Sequence, residues 1–194
     1  MREKFKISNI QLKEAPNCII EIAKNLDNIA FSITIGKKNS KQMDSNIDEK
    51  IIETIKNHYF ANTSKKDLAV KADGSEIGTL DLIFSDTNKN TYYMEIEKTN
   101  KKTLWFDYIK LLTRVKSKSD HNGYGIIICP SNYAHSNGVW NLYQEAVIYK
   151  NHLKSVFGER ALDRISIVGY TQYVLLNDEW LPFNSDVIKK IKTS

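Results

Sequence analysis

The segment TYYMEIEKTN, residues 91–100, decides the fold because it places two glutamates one residue apart among apolar side chains. Its pattern predicts a strand over 91–98, and successive side chains of a strand point to opposite faces of a sheet. One face is expected to carry Tyr92, Met94 and Ile96, and the other Tyr93, Glu95 and Glu97. The two carboxylates would then lie about 7 Å apart on one face, since a strand rises roughly 3.4 Å per residue.

A third carboxylate precedes this strand. Asp81 lies in GTLDLIF with apolar residues on both sides, although aspartate is disfavoured inside strands. We predict a strand over 79–84, and SDTNKN, residues 85–90, predicts the hairpin loop that joins it to the next strand. Asp81 is therefore expected beside Glu95 or Glu97 across the ladder.

Three converging carboxylates require a positive charge among them, because buried like charges repel one another and lose their hydration. No arginine lies near them in the sequence. A hard divalent cation such as Mg²⁺ prefers oxygen ligands, so Asp81, Glu95 and the main-chain carbonyl of Ile96 are candidate metal ligands. The alternative is that the acids lie on the solvated face of an antiparallel sheet and need no metal.

The flanking sequence predicts an α/β fold. Helices are predicted over about 17–31, 47–61, 101–116 and 139–157, and further strands over 68–72, 124–129, 165–170 and 173–176. From residue 47 the order is α-β-β-β-α-β, which indicates a mixed central sheet flanked by helices, with additions at both ends. The apolar run 124–129 predicts a central, buried strand. The chain is expected to form one domain over 1–194 with its core at about 47–129.

Two lysines follow the acidic strand. Thr99 or Asn100 is expected to cap the helix that begins at about residue 101. Lys101 and Lys102 would then lie in its first turn, where the helix dipole disfavours cations. Phosphate binds at helix N-termini, so an anion is expected there. A solvated, charged helix end is the alternative.

This order of elements, together with Asp81 and Glu95-Ile96-Glu97, resembles the PD-(D/E)XK nuclease superfamily, and within it the type II restriction endonucleases. The resemblance covers about 47–129. Leu80 stands where the family pattern has proline, and Glu97 stands where it usually has lysine, a variant that some restriction enzymes of this group carry. The resemblance implies a restriction-endonuclease-like αβββαβ core and Mg²⁺-dependent hydrolysis of phosphodiester bonds in double-stranded DNA.

The resemblance also implies roles for the three acids, which are the candidate catalytic residues. Asp81 and Glu95 would bind the metal, and Glu97 would hold a second metal or accept a proton from the attacking water. Lys98 is expected on the opposite face of the strand. Glu49 could join the site through a water molecule, although a solvated charge on helix 47–61 is the simpler interpretation.

Contacts with DNA would come from lysines and loops. The candidate phosphate contacts are Lys37, Lys38, Lys101 and Lys102. The candidate base contacts lie in 116–123, which contains His121, and in 130–138, which contains His135, and both segments could equally be plain surface loops.

The helix over 101–116 carries Trp105, Phe106 and Tyr108 around more than one face. We expect a homodimer interface there, and burial between the sheet and the C-terminal additions is the alternative. A two-fold dimer would give each DNA strand its own active site.

Composition is that of an ordinary globular chain, with 41% hydrophobic residues and 26% charged residues. The net charge of +5 is compatible with nucleic acid and does not demonstrate it. No apolar run is long enough to span a bilayer and no secretory signal is visible, so we expect a cytoplasmic protein without a membrane partner. Cys18 and Cys129 are expected to be buried thiols.

The sequence as a whole predicts a homodimeric, Mg²⁺-dependent, site-specific DNA endonuclease. Two alternatives remain open at this point. One is another nuclease of the same superfamily, acting in repair, transposition or nicking. The other is a non-catalytic DNA-binding module with a degenerate nuclease core.

Overall fold

A computed structural model describes residues 4–13, 15–35, 42–62, 64–98, 100–115, 122–135 and 138–193. The strands are β1 (Lys4–Leu12), β2 (Ala30–Phe31), β3 (Ile33–Ile35), β4 (Gln42–Ser45), β5 (Phe60–Asn62), β6 (Ala69–Ala72), β7 (Ser75–Thr79), β8 (Leu82–Ser85), β9 (Thr91–Ile96), β10 (Gly123–Pro130), β11 (Tyr133–His135), β12 (Gly138–Trp140), β13 (Ile165–Leu176) and β14 (Glu179–Pro182). The helices are α1 (Asn17–Leu26), α2 (Ile47–His58), α3 (Lys65–Leu68), α4 (Leu104–Val115), α5 (Leu142–Phe157), α6 (Glu159–Leu162) and α7 (Ser185–Thr193).

A mixed sheet runs through the molecule in the order β2-β1-β13-β10-β9-β8-β5, and β14 also pairs with β13. Strands β9, β10 and β13 are parallel to one another, whereas β8 is antiparallel to β9, β5 is antiparallel to β8, and β1 and β14 are antiparallel to β13. The predicted α/β fold with a mixed central sheet is therefore confirmed. The prediction that 124–129 forms a central strand is also confirmed, because β10 lies between β9 and β13.

The two faces of the sheet carry separate hydrophobic cores. Helices α1, α2 and α7 cover one face, and α4, α5 and α6 cover the other. Strand β10 shows the division, because Ile126 and Ile128 pack into the first core and Ile127 and Cys129 into the second. This alternation is what the period of two along a strand requires. We call these surfaces the α2 face and the α4 face.

Two predicted helices end earlier than expected. The helix predicted over 17–31 ends at Leu26 and is followed by β2, and the helix predicted over 47–61 ends at His58 and is followed by β5. In both cases the apolar residues after the helix belong to the sheet, so periodicity did not mark the change of element. Likewise, 139 and 140 belong to β12 and not to α5, and 165–176 form one continuous strand.

The largest correction concerns the predicted strands 68–72 and 79–84. The first exists as β6, but it pairs with β7 in a two-stranded ribbon outside the central sheet. The second is divided, because β7 ends at Thr79 and β8 begins at Leu82. Asp81 therefore precedes a strand and is not inside one. The sheet strand that follows α2 is β5, so the order in the structure is α2-β5-β8-β9-α4-β10 with the α3–β6–β7 segment inserted.

Two other expectations concern the whole chain. Cys129 is a buried free thiol as predicted, whereas Cys18 is only half-buried. Over the described ranges, the structure has no helix with the length and apolar character needed to cross a membrane.

Candidate functional site

The register of β8 and β9 brings two of the three acids together. Leu82 lies opposite Met94 in this antiparallel pair, Asp81 directly precedes Leu82, and Glu95 directly follows Met94. The backbone N–H of Asp81 donates to the Met94 carbonyl at 3.1 Å, which extends the pairing one residue beyond β8. The predicted neighbourhood of Asp81 and Glu95 is present in the structure.

Asp81 is an exposed side chain at the edge of this pair. Its Oδ2 accepts a hydrogen bond from the backbone N–H of Ile96 at 2.7 Å. This bond fixes the orientation of the carboxylate and leaves the second carboxylate oxygen for another partner.

The positive charge beside Glu95 comes from a lysine of α4. Glu95 is 3% exposed, and the Nζ of Lys110 lies 2.7 Å from its Oε1. The same Nζ lies 3.2 Å from Oδ1 of Asp107, a second buried acid, and donates to the Thr79 carbonyl at 3.2 Å. A single ammonium group therefore lies between two buried carboxylates.

Sequence reasoning missed Asp107 and Lys110, although a signal was present. The buried residues of α4 are Leu104, Asp107, Tyr108, Leu111, Leu112 and Val115. Asp107 occupies a position in this apolar stripe, and an aspartate there indicates a buried partner.

Burial is the largest influence on the pKa values of Glu95 and Asp107. It raises the pKa of Glu95 to about 9, with the charges of Asp81 and Asp107 adding to the effect and Lys110 opposing it. Burial also raises the pKa of Asp107 to about 6, again against the influence of Lys110. Near neutral pH, Glu95 therefore holds a proton that a bound cation would displace.

The donor set partly fits a magnesium ion. Oε1 of Glu95 is buried, and its neighbouring positive charge is the Lys110 ammonium at 2.7 Å. Mg²⁺ usually takes one or two protein carboxylates and completes its shell with water, which Asp81, Glu95 and the Ile96 carbonyl would allow. Within the described ranges, no group of three or more His, Cys, Asp or Glu side chains is arranged to hold a metal. Binding would therefore require Lys110 to withdraw from Glu95.

Glu97 has a local structural role. It lies just after β9, where its Oε1 accepts from the backbone N–H of Asn100 at 2.9 Å and its Oε2 accepts from the Thr103 hydroxyl. Both carboxylate oxygens thus hold the turn that leads into α4. The structure does not bring Glu97 into the Glu95–Lys110 contact.

Lys101 and Lys102 do not lie in the first turn of a helix, because α4 begins at Leu104. They occupy the preceding turn, in which the Asn100 side chain accepts from the backbone N–H of Lys102 at 3.0 Å. Both lysines are exposed, and the Nζ of Lys101 lies 3.8 Å from Glu145 of α5. The prediction that both lysines lie in the first turn of a helix, where the dipole would favour phosphate, is therefore wrong.

A second charged cluster lies on the α2 face. It includes Lys98, which was predicted on the sheet face opposite Glu95. The Nζ of Lys98 lies 2.5 Å from Oδ2 of Asp48 in α2, so the acid that α2 contributes is Asp48, whereas Glu49 is exposed. Burial raises the pKa of Asp48 against the influence of Lys98, and the charge of Asp81 raises it further. Tyr170 is fully buried, and its hydroxyl has no partner among the described residues.

The three aromatic residues of α4 have different surroundings. Tyr108 is buried and donates to the Ala146 carbonyl of α5 at 2.7 Å, and Trp105 stacks on Tyr149 of α5 at a centroid distance of 4.7 Å. Phe106 is 61% exposed. Packing against α5 therefore explains why α4 carries Tyr108 and Trp105, and it does not explain the exposed Phe106.

Several predicted contact residues lie outside the described residues. These are Lys37, Lys38, Thr99, His121 and most of the segment 116–123, together with 136 and 137. His135 ends β11, and its side chain is also outside the described part.

Comparison with known proteins finds no match for this chain, whether among protein-family models, curated proteins or solved structures.

Proposed function

We propose that the protein is a Mg²⁺-dependent nuclease that hydrolyses phosphodiester bonds in double-stranded DNA. The observation that carries the proposal is the closeness of Asp81, which directly precedes β8, to Glu95 of β9, within the element order α2-β5-β8-β9-α4-β10. This is the order of elements and the pair of acids that the PD-(D/E)XK resemblance implies. A restriction-endonuclease-like core is part of this proposal.

The residues that would hold the metal are Asp81, Glu95 and the Ile96 carbonyl. Bound there, Mg²⁺ would neutralise charge on the phosphate and lower the pKa of a water molecule. Glu95 would give up its proton on binding, and Lys110 would withdraw from its Oε1 and remain nearby as a cation. Glu97 is the proposed proton acceptor, and this role requires that it release Asn100 or Thr103.

The finer parts of the proposal are site-specific cleavage, a homodimer and a cytoplasmic setting. A homodimer with two-fold symmetry presents one site to each strand of a palindromic target. The exposed Phe106 on α4 supports such an interface. Lys101 and Lys102 remain proposed phosphate contacts, since both are exposed and follow β9 closely in the chain.

One observation favours a second candidate function, a non-catalytic nucleic-acid-binding module. Lys110 already supplies a positive charge to Glu95, and Glu97 already uses both oxygens in local hydrogen bonds. In this alternative the acids stabilise α4 against the sheet and bind no metal.

Cleavage of long DNA in Mg²⁺ distinguishes these functions. We expect discrete fragments from the parent protein and no cleavage by Asp81→Asn or Glu95→Gln. The matched control is Glu53→Gln, which neutralises an exposed acid of α2. Fragments without fixed ends would indicate a general nuclease, and DNA binding without cleavage would indicate the non-catalytic module.

A further inference from the structure

The α3–β6–β7 segment forms a structure of its own on the α4 face. Val70 of β6 is fully buried in the core on this side, and the Arg114 guanidinium of α4 donates to the carbonyls of Asp67 and, at 2.7 Å, Ala69. Gly78 of β7 lies directly over the Lys110 stem, since a Cβ there would be 3.2 Å from Cδ of Lys110. The segment is therefore fixed against α4 beside the acid site.

This segment borders a groove. A cavity of about 610 Å³ lies between it, the start of β9 and the end of α4, and its lining includes Lys66, Lys71, Tyr93 and Arg114. A second cavity of about 670 Å³ shares Lys66 and Lys71 and adds Lys65. We call the two cavities together the ribbon groove.

The ribbon groove carries an excess of positive charge. Lys65, Lys66 and Lys71 are exposed, and no carboxylate of the described residues lies within ion-pair distance of any of them. These three lysines differ in this respect from Lys98 and Lys110, which form ion pairs with Asp48 and Glu95.

Two acids lie at the ribbon groove. Asp67 accepts a hydrogen bond from the Asn62 side chain at 2.9 Å, and Glu76 lies opposite Lys71 in the ribbon. With Arg114, the four cations outnumber these two acids, and the groove is open to an anionic partner.

The ribbon groove continues from the acid site along one surface. Tyr93 shares its strand face with Glu95, about 7 Å away at roughly 3.4 Å per residue. Arg114 follows Lys110 by one turn of α4, a rise of about 6 Å. The ribbon groove is therefore close to the acid site, and its lining also includes Thr79 and Leu80, which directly precede Asp81.

We infer that the ribbon groove binds the phosphate backbone of duplex DNA, with Lys66 and Lys71 as phosphate contacts. The inference deepens the proposed nuclease function and rests on it for the identity of the polyanion. Lysines that neutralise phosphates release counterions, which makes affinity depend on salt and not on base sequence.

The test is the salt dependence of binding to a fluorescently labelled DNA duplex, measured by anisotropy in EDTA so that no cleavage occurs. We expect the double variant Lys66→Gln/Lys71→Gln to bind more weakly at low salt, and the slope of log K against log salt to become shallower by about 1.8 for two lost phosphate contacts. Both lysines are exposed, so the variant should keep the thermal unfolding midpoint of the parent protein.

The matched control is Lys4→Gln/Lys56→Gln, which removes the same charge from two exposed positions of β1 and α2 outside the ribbon groove, where no described carboxylate forms an ion pair with either lysine. An unchanged slope in the control supports the inference. Equal slopes in the two double variants, or an unchanged slope in the groove variant, would overturn it. Competition by polyglutamate as strong as that by DNA would also overturn it, because the groove would then fit an acidic protein.

The groove inference and the nuclease proposal can fail separately in these experiments. If the parent protein cuts DNA and the groove variant keeps its salt slope, the groove inference fails and the nuclease proposal stands. If the groove variant loses affinity while Asp81→Asn cuts DNA like the parent protein, the nuclease site is wrong and the binding groove stands.

Discussion

At the scale of single residues, Lys110 provides the positive charge beside the buried side chain of Glu95. Its ammonium lies between Glu95 and Asp107, and its stem passes beneath Gly78. A buried acid that loses its partner is left uncompensated, which costs much more than an exposed ion pair contributes. Lys110 therefore stabilises the buried acids, and it would compete with the proposed metal for the same oxygen.

Replacing Lys110 separates these two effects. We expect Lys110→Met to lower the free energy of unfolding by about 2 to 4 kcal/mol in EDTA, because it removes the ammonium that lies between the buried side chains of Glu95 and Asp107. Mg²⁺ should then raise the thermal midpoint of the variant more than that of the parent protein. Chemical denaturation and thermal scans with and without Mg²⁺ measure both effects, and a variant that Mg²⁺ does not stabilise would contradict a metal at Glu95.

The protonation of Glu95 gives a pH dependence. Its pKa is about 9 in the folded protein against an ordinary value of 4.5, so the folded state binds the proton more tightly. The resulting stability is complete below about pH 4.5 and is lost as the pH rises toward 9. We expect the free energy of unfolding of the parent protein to fall relative to that of Glu95→Gln across this range in EDTA. A constant difference in urea denaturation from pH 5 to 9 would show that Glu95 is ionised throughout.

At the scale of elements, local patterns were predictable and non-local pairing was not. Alternation in 91–98 correctly assigned the faces of Tyr93, Glu95 and Lys98. Strand β5 was missed because Phe60 and Ala61 continue the apolar pattern of α2. The division between β7 and β8 was missed because apolar residues continue through it, and only the ribbon pairing of β6 with β7 separates them.

The ribbon depends on one glycine. Gly78 has a φ of 150°, which side chains rarely adopt, and a Cβ there would press on Lys110. We expect Gly78→Ala to destabilise the protein by about 1 to 3 kcal/mol. The control is Gly74→Ala, where φ is also positive but no atom lies within 4 Å of the new Cβ. A smaller loss of unfolding free energy in Gly78→Ala than in Gly74→Ala would contradict the close packing of the ribbon on α4.

At the scale of the whole molecule, the sheet joins two charged clusters that the sequence keeps far apart. Asp81 and Glu95 were predictable as a pair because a short hairpin connects their strands. Asp48 and Lys98 meet only because α2 packs across the sheet, and Lys110 reaches Glu95 only because α4 packs on the other face. No local pattern encodes such contacts between distant segments, so sequence reasoning did not find Lys110 beside Glu95.

The homodimer is a prediction at the same scale. Phe106 and Ile109 are 61% and 48% exposed on α4, and burying them would favour association. We expect sedimentation equilibrium to give a dimer for the parent protein and a monomer for Phe106→Glu/Ile109→Glu. Phe60→Glu is the control, since Phe60 is 75% exposed on β5. A monomeric parent protein, or equal dissociation by the control, would contradict this interface.

The most direct test of the central claim is a crystal structure with Mn²⁺, using anomalous scattering to locate the ion. We predict a strong peak about 2 Å from carboxylate oxygens of Asp81 and Glu95, with Lys110 withdrawn from Glu95. A peak-free site in which the Lys110 ammonium still contacts Glu95 at saturating Mn²⁺ would contradict a metal-dependent nuclease.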